Sequence, residues 1–218
     1  MQNAVITVDG PVASGKTVLC QRLVQRLGCW DWLSTGVFYR GLAYMILELG
    51  LKNSEEKWPE LIAEEKWKVE KEKHQTSFWY NGKNKTSLIY NAHIDKIASQ
   101  VAENIPVRQV LIPYQRAHKG EGRGLIAEGR DCGTAIFPLA PLKIYLTARD
   151  EVRAQRRARE RNELPDRVIS EQRKRDYSDS RRAFNPLKKP EGAWAIHTDQ
   201  YSLDEMDEMV YKRIQGLF

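Results

Sequence analysis

Hydrophobic and polar positions change period several times along the chain, and each change marks an element. Val5 to Val8 form a β-branched run, which predicts a buried strand. Leu19, Leu23 and Leu27 then recur at helical spacing, widened by Cys20 and Val24, and Gly28 supplies the stop. Trp30–Leu33 reads as a short strand broken by Ser34-Thr35-Gly36, and Val37–Leu49 as a helix apolar on most faces. Between Lys52 and Tyr90 the runs WKVEKE, SFWYNGK and TSLIY predict short antiparallel strands, the last two parted by an Asn81-Gly82-Lys83 turn. Two helices follow, Ile94–Ala102 and Pro106–Arg116, and Pro113 is expected to kink or end the second. Further strands are expected at Leu125–Ala127, Leu142–Thr147 and Ala193–His197. Asp150–Arg161, and a stretch restarting at Leu164-Pro165-Asp166, predict charged helices with little apolar surface to bury. Ser202 and Glu205 form a capping box for a last helix.

This recurrence predicts an α/β fold of the P-loop type: a parallel sheet between helices, with a small antiparallel β insertion and a basic helical lid. Between the first strand and helix, Gly10, Gly15, Lys16 and Thr17 match the phosphate-loop pattern G-x4-G-K-[ST]. Glycines let backbone N–H groups close around phosphate oxygens at a helix N-terminus. Lys16 can reach the β- and γ-phosphates and the Thr17 hydroxyl can hold Mg²⁺. A glycine turn with a chance lysine is the plain alternative, and the strand before and helix after argue against it.

Composition narrows the partners. At 218 residues, 41% hydrophobic and 29% charged, the chain can bury a substantial single core. No apolar run could span a bilayer and the N-terminus enters a strand without a signal peptide, so a cytoplasmic protein is expected. Cys20, Cys29 and Cys132 lack paired spacing and read as reduced thiols, and His74, His93, His118 and His197 show no zinc spacing. A net charge of +6 admits nucleic acid or small polyanions such as nucleotides. Eleven arginines fall between Arg149 and Arg182, a residue type suited to bidentate phosphate contacts, although a solvated helix face is the better reading for most of them singly. Arg40, the lone cation in its helix, needs either an internal carboxylate or an anionic ligand, and the residues leave both open. Glu128-Gly129-Arg130-Asp131 follows a strand, where ligands sit in open α/β sheets, or it is a turn with a surface Arg–Asp pair. Arg175, Asp179 and Arg182 share one helix face, either as ordinary pairing or as a jaw for phosphates.

Together these segments resemble the bacterial cytidylate kinases, a family of nucleoside monophosphate kinases, from Ile6 nearly to the C-terminus. ITVDGPVASGKT, STGVFYR, ASQVAENIPVR, IAEGRDCGTAIFP and RKRDYSDSRRAFNPL carry the resemblance, and GRDCGT with YSDSRR is far more specific than the phosphate loop. The resemblance implies a core of residues 1–36, 120–150 and 190–218, a monophosphate-binding region with the β insertion at 37–119, and a lid at 151–189. It implies ATP binding by Gly10, Pro11, Val12, Ala13, Ser14, Gly15, Lys16, Thr17 and Val18, with Arg157 and Arg153 as lid candidates. Lys16, Arg130, Asp131 and Arg182 form the implied catalytic set. Ser99, Arg108 and Asp131 stand where the family reads the cytosine edge, Asp179 and Arg175 at the acceptor ribose, and Arg40, Arg130 and Arg182 at the acceptor phosphate, with Thr35 beside them. Mg²⁺ is implied at Thr17, with waters. The implied partners are ATP, CMP and dCMP, for a monomer that binds neither membrane nor nucleic acid.

Three departures stand out. Ser34 replaces the aspartate usual before the Ser/Thr-Gly of the second strand, which leaves Glu128 and Asp131 as candidates for its work. Ala13 replaces a frequent loop glycine, and Pro113 falls where the family helix runs on. The implied reaction moves the ATP γ-phosphoryl group to a 5′-phosphate, which is ionised already and requires no general base. Rival readings are another P-loop small-molecule kinase, or a nucleic-acid-binding ATPase with RNA-stimulated hydrolysis and a steep salt dependence. A GTPase is disfavoured, because no N-K-x-D signature is present.

Overall fold

Residues 4–71, 75–120 and 124–218 are described by the computed structural model, and Glu72 of the WKVEKE run and His74 lie outside them. In chain order the elements are β1 (Val5–Asp9), α1 (Lys16–Leu27), β2 (Trp30–Ser34), α2 (Gly36–Glu48), β3 (Trp67–Lys71), β4 (Thr76–Tyr80), β5 (Lys83–Asn84), α3 (Ala92–Glu103) and α4 (Ile105–Ala117). They continue with β6 (Gly124–Gly129), β7 (Leu142–Thr147), α5 (Asp150–Arg161), α6 (Pro165–Arg181), β8 (Trp194–His197) and α7 (Leu203–Gln215). A five-stranded parallel sheet runs in the order β2-β6-β1-β7-β8. Every residue of β1 is buried, as a central parallel strand covered on both faces requires. Side-chain alternation divides the core. Val5, Leu33, Leu125 and Ala127 face α2, α3 and α4, whereas Ile6, Val8, Trp32 and Ile126 face α1 and α7.

Register then sets the functional rim. Asp9 lies opposite Gly129, and Ser34 opposite Glu128, so the carboxyl ends of β1, β2 and β6 finish together beside the phosphate loop. In open α/β sheets that edge is where ligands bind.

The insertion is a three-stranded antiparallel sheet, β3-β4-β5, as expected in kind though not in every strand. Asn81 and Gly82 both take positive φ (49° and 72°), the backbone of a tight two-residue hairpin turn. TSLIY is not a strand: Thr86–Ile89 forms a 3₁₀ turn instead. Local bonds decide this, since Asn84 Oδ1 accepts the Thr86 N–H at 2.9 Å and Thr86 Oγ1 accepts the Phe78 N–H at 2.9 Å. The insertion is also joined to the main sheet. Thr76 Oγ1 accepts the Ser34 N–H at 2.8 Å and donates to the Trp32 carbonyl at 3.1 Å, closing the edge of β2.

Pro113 does not end its helix, and α4 continues to Ala117. Gln109, whose carbonyl loses its partner N–H, is exposed, so water can satisfy that oxygen. Beyond Pro113 the last turn is fixed by Arg116, which donates to the Ile136 and Ala135 carbonyls at 2.9 and 2.8 Å. The capping box at Ser202 and Glu205 is present as expected. Tight packing joins α2 to the insertion, where a Cβ on Gly41 would lie 2.5 Å from the Phe78 ring. Gly41→Ala should therefore lower stability by about 1–3 kcal/mol, the usual cost of overpacking, against a helix-propensity gain of at most ~1 kcal/mol. A lowered urea midpoint is the expected result, and an unchanged or raised one contradicts this packing.

Candidate active site

The phosphate loop opens on a backbone contact that only glycine permits. A Cβ on Gly10 would lie 2.1 Å from the Leu146 carbonyl oxygen. Gly15 and Ala13 take positive φ (91° and 54°). For Ala13 this conformation costs about 1–2 kcal/mol relative to the right-handed alternative, which explains why glycine is frequent at such a position. Lys16 is buried within the loop, its ammonium donating to the Pro11 carbonyl at 2.7 Å and to Ser14 Oγ at 3.4 Å. Burial first, and then the neighbouring Arg130 cation, push its pKa down to about 7. Thr17 Oγ1 donates to Glu128 Oε1 at 2.6 Å, and the Trp32 indole N–H donates to Glu128 Oε2 at 3.1 Å. These are hard oxygen donors beside a phosphate loop and fit Mg²⁺, which keeps several waters and shares its shell with substrate phosphates. Of the two carboxylates considered in place of the missing aspartate, Glu128 stands here and Asp131 does not.

Asp131 is held elsewhere by the turn after β6. The carboxylate of Asp9, fully buried, accepts the N–H groups of Cys132 and Gly133 at 2.8 and 2.7 Å. Burial pushes its pKa up to about 6, against the lowering effect of those two bonds. Gly129 and Gly133 permit the close approach: a Cβ on either would lie 2.3 Å from Thr35 Oγ1 or 2.7 Å from Thr7 Oγ1. Thr35 adds a bond from Oγ1 to the Glu128 carbonyl at 2.9 Å. Asp131 thereby faces Arg108 from α4 in a buried, hydrogen-bonded ion pair. Arg108 is 1% exposed, its Nε has no hydrogen-bond partner among the described residues, and its guanidinium lies 5.5 Å from the centre of the Tyr39 ring. Arg182 approaches Asp131 and Asp179 at 3.6 Å each. Arg130 donates to Asp179 and to the Gly10 carbonyl, both at 2.8 Å, joining the loop to the lid. Burial works against the Asp179 charge, but Arg130, Arg175 and Arg182 outweigh it and hold the carboxyl below the usual range.

One cavity of about 380 Å³ collects the loop residues Val12 to Val18, Thr35, Arg40, Arg108, Arg130, Asp131, Arg157, Arg175, Asp179 and Arg182. Gly10 and Pro11 serve it through the carbonyls already described. Ser99 is the expected site residue that stands apart. It lines a neighbouring cavity of about 520 Å³ between α3 and the lid helices, while Ala98 and Ala102 face the main one. Arg153 is also used differently from expectation. It donates to Val12 O at 2.8 Å, Asp176 at 2.6 Å and Asp150 at 2.6 Å, so it pins α5 to the loop and leaves Arg157 facing the cavity. Arg40 meets both of its open alternatives, since it pairs with Asp95 at 3.0 Å and lines the cavity. Asp9, Asp95, Tyr39 and Arg161 were not legible as site residues. Asp9 could have been found as a carboxylate ending an otherwise apolar buried strand, and Asp95 as the nearest carboxylate on an amphipathic helix able to answer Arg40.

A parallel sheet with a phosphate loop at its carboxyl edge, facing an arginine-lined cavity closed by helices, defines a P-loop phosphotransferase of small anions. The chain matches the cytidylate kinase family model over residues 6–216, and it belongs to that family. A curated relative, the cytidylate kinase of Bdellovibrio bacteriovorus, is 37% identical over 213 residues, covering 97% of this chain and 98% of the relative. The cytidylate kinase of Stutzerimonas stutzeri is 36% identical over 218 residues, covering 96% and 94%. Overlap with a solved shikimate kinase from Acinetobacter baumannii is looser, with a TM-score of 0.45 and 16% identity over 98% of this chain and 93% of that one.

The lowered Lys16 pKa makes a prediction. A phosphate beside the ammonium restores its proton, so nucleotide binding takes up protons where free Lys16 is neutral. With the free pKa at about 7, uptake should be about 0.9 proton per site at pH 8 and about 0.1 at pH 6. Calorimetry in buffers of different ionisation enthalpy measures this, with Lys16→Met as the reference that lacks the uptake. Equal proton uptake in both proteins at pH 8 would contradict it.

Proposed function

We infer that this chain transfers the γ-phosphoryl group of ATP to CMP or dCMP, giving ADP and CDP or dCDP. The observation that carries this reading is the buried Arg108–Asp131 pair, which shares one cavity with the phosphate loop. A cytosine edge offers an amino donor and ring acceptors, which complement a carboxylate beside a guanidinium. Uracil presents a carbonyl where cytosine presents the amino group, and leaves the buried carboxylate unanswered. Arg40, Arg130 and Arg182 supply the acceptor phosphate with cations from three separate segments, and Asp179 with Arg175 faces the ribose.

Catalysis in this reading is positioning and charge neutralisation. Lys16 leaves its loop carbonyl for the transferring phosphate and carries charge as it spreads. Arg157 approaches the same phosphates from the lid. Thr17 and Glu128 are the residues that would hold Mg²⁺ and its waters, and the bound ion would neutralise the β- and γ-oxygens. The acceptor oxygen attacks as an anion, so no side chain removes a proton. Closure of α5 and α6 excludes water and keeps the phosphoryl group from hydrolysis. Most arginines of the lid region are bonded within the molecule, including Arg153 to Asp176, Arg156 to Thr198 and Arg173 to Asp150. That favours a nucleotide pocket over a nucleic-acid surface. The three cysteines are free, which supports a reducing compartment, the cytoplasm, and we propose a monomer.

ADP release measured with CMP, dCMP, UMP, AMP, GMP and no acceptor tests the reading. CMP and dCMP should be used well, UMP weaker by roughly 10- to 1,000-fold, and Lys16→Ala should lose roughly 100-fold or more of the rate. Preference for another monophosphate, or acceptor-independent hydrolysis stimulated by RNA, would overturn it.

A further inference from the structure

Asp95 is a carboxylate placed where a phosphate site has least apparent use for one. It sits in the first turn of α3, which is capped by Asn91 Oδ1 accepting the Ile94 N–H. Ile94, Ile97, Ala98 and Val101 turn the apolar face of that helix into the core. Asp95 points instead toward the lid and is 8% exposed. One oxygen receives Arg40 of α2 at 3.0 Å and has Arg175 of α6 at 3.8 Å. The other receives Arg157 and Arg161 of α5 at 2.6 and 2.7 Å.

An ordinary ion pair needs one arginine. Here four guanidinium groups from three helices converge on a single carboxylate, so three positive charges remain without an equal counter-charge inside the cluster. Arg157 and Arg161 reach one further carboxylate each, Glu160 at 3.0 Å and Glu171 at 3.4 Å, both at the solvent rim. Arg175 is half-buried, and its Nε, itself shielded from solvent, has no hydrogen-bond partner among the described residues. Burial first, then Arg130 and Arg40, bring its pKa down to about 10, the mark of a crowded cation that an added anion would relieve. The lid has little else to hold it against α3. In α5 the buried apolar residues are Ala154 and Ala158, and in α6 Val168. Among the described residues, one further side-chain hydrogen bond crosses the gap to α3, from Ser178 to Glu103.

We propose that Asp95 is the positioning residue that assembles the phosphate-binding arginines before nucleotide arrives, docking the lid onto α3 and presenting Arg40, Arg157 and Arg175 as one surface. The proposal deepens the kinase reading above and rests on it for the roles of those arginines. Asp95 touches no reacting atom. It acts by holding together cations that would otherwise repel one another and carry α5 and α6 away from α2 and α3. The surplus of positive charge that it leaves is the charge that substrate phosphates complete.

The test compares wild type, Asp95→Asn and Asp95→Glu. Hydrogen exchange of residues 150–181 in nucleotide-free protein should rise in Asp95→Asn and fall back when ATP·Mg²⁺ and CMP are both bound. In steady state, KM for both nucleotides should rise roughly tenfold in Asp95→Asn with a smaller change in kcat, and Asp95→Glu should recover most of the loss. Unchanged lid exchange in nucleotide-free Asp95→Asn overturns the proposal, and so does a KM that stays level or falls, which would make Asp95 a bystander or a competitor of phosphate. If Asp95→Asn does not fold, Arg161→Gln decides: it removes one of the guanidinium groups that join α5 to the buried Asp95, and lid exchange in the nucleotide-free protein must rise. Lid exchange as in the wild type overturns the docking role. The exchange measurements require no turnover, so failure of the kinase reading would show separately, as absence of CMP phosphorylation by the wild type.

Discussion

A pocket that receives two polyanions must first keep its own cations from driving the walls apart. Two guanidinium groups about 7 Å apart repel by about 2 kcal/mol at the effective dielectric of a protein site. The structure answers with carboxylates shared between arginines. Asp95 serves Arg40, Arg157, Arg161 and Arg175; Asp131 serves Arg108 and Arg182; Asp179 serves Arg130 and Arg182. Each carboxylate lies on a different element, so the pairs also join the elements. Seven guanidinium groups share those three carboxylates, a surplus of positive charge of the kind that suits anionic ligands. Burial first, and neighbouring cations second, drive the pKa values of Lys16 and Arg175 down to about 7 and about 10.

Those charges keep their positions because the backbone beneath them has little freedom. Parallel register brings Asp9, Glu128 and Ser34 to one rim, and the Asp9 carboxylate then fastens the turn that follows β6. Glycines at 129 and 133 are needed for that approach, since a side chain on either would collide with Thr35 or Thr7. Arg130 and Asp131 project from the fastened turn toward opposite tasks, one to the loop and lid, the other to Arg108. On the far side the β insertion closes the edge of β2 through Thr76, which steadies the strand carrying Trp32 and Ser34. Trp32 in turn orients Glu128 toward Thr17, so a carboxylate from β6 stands beside the phosphate loop.

Much of this was legible in the residues. Periodicity located the core strands and most helices to within a few positions, because β1 and β6 are buried on two faces and read as apolar runs. The phosphate loop was legible because its glycines, lysine and threonine follow from the geometry of phosphate binding. TSLIY misled because β-branched and aromatic composition does not reveal a Thr86 hydroxyl that captures the Phe78 N–H. Of the two outcomes expected at Pro113, the end of the helix does not occur, because Gln109 is exposed and its carbonyl can find water. Asp95 and Asp9 leave only faint local signals, for a related reason. Their significance lies in partners far away in sequence, and spacing along one helix or strand carries no information about a shared carboxylate.

The central claim, that the Asp131 carboxylate beside Arg108 reads the base, is tested most directly by the ratio of kcat/KM for CMP to that for UMP in Asp131→Asn. An asparagine amide can donate to the uracil carbonyl that the carboxylate refuses, so the ratio should fall by about tenfold or more, with UMP use retained. An equal loss for CMP and UMP, leaving the ratio as in the wild type, would show that Asp131 merely holds Arg108 and would contradict the account.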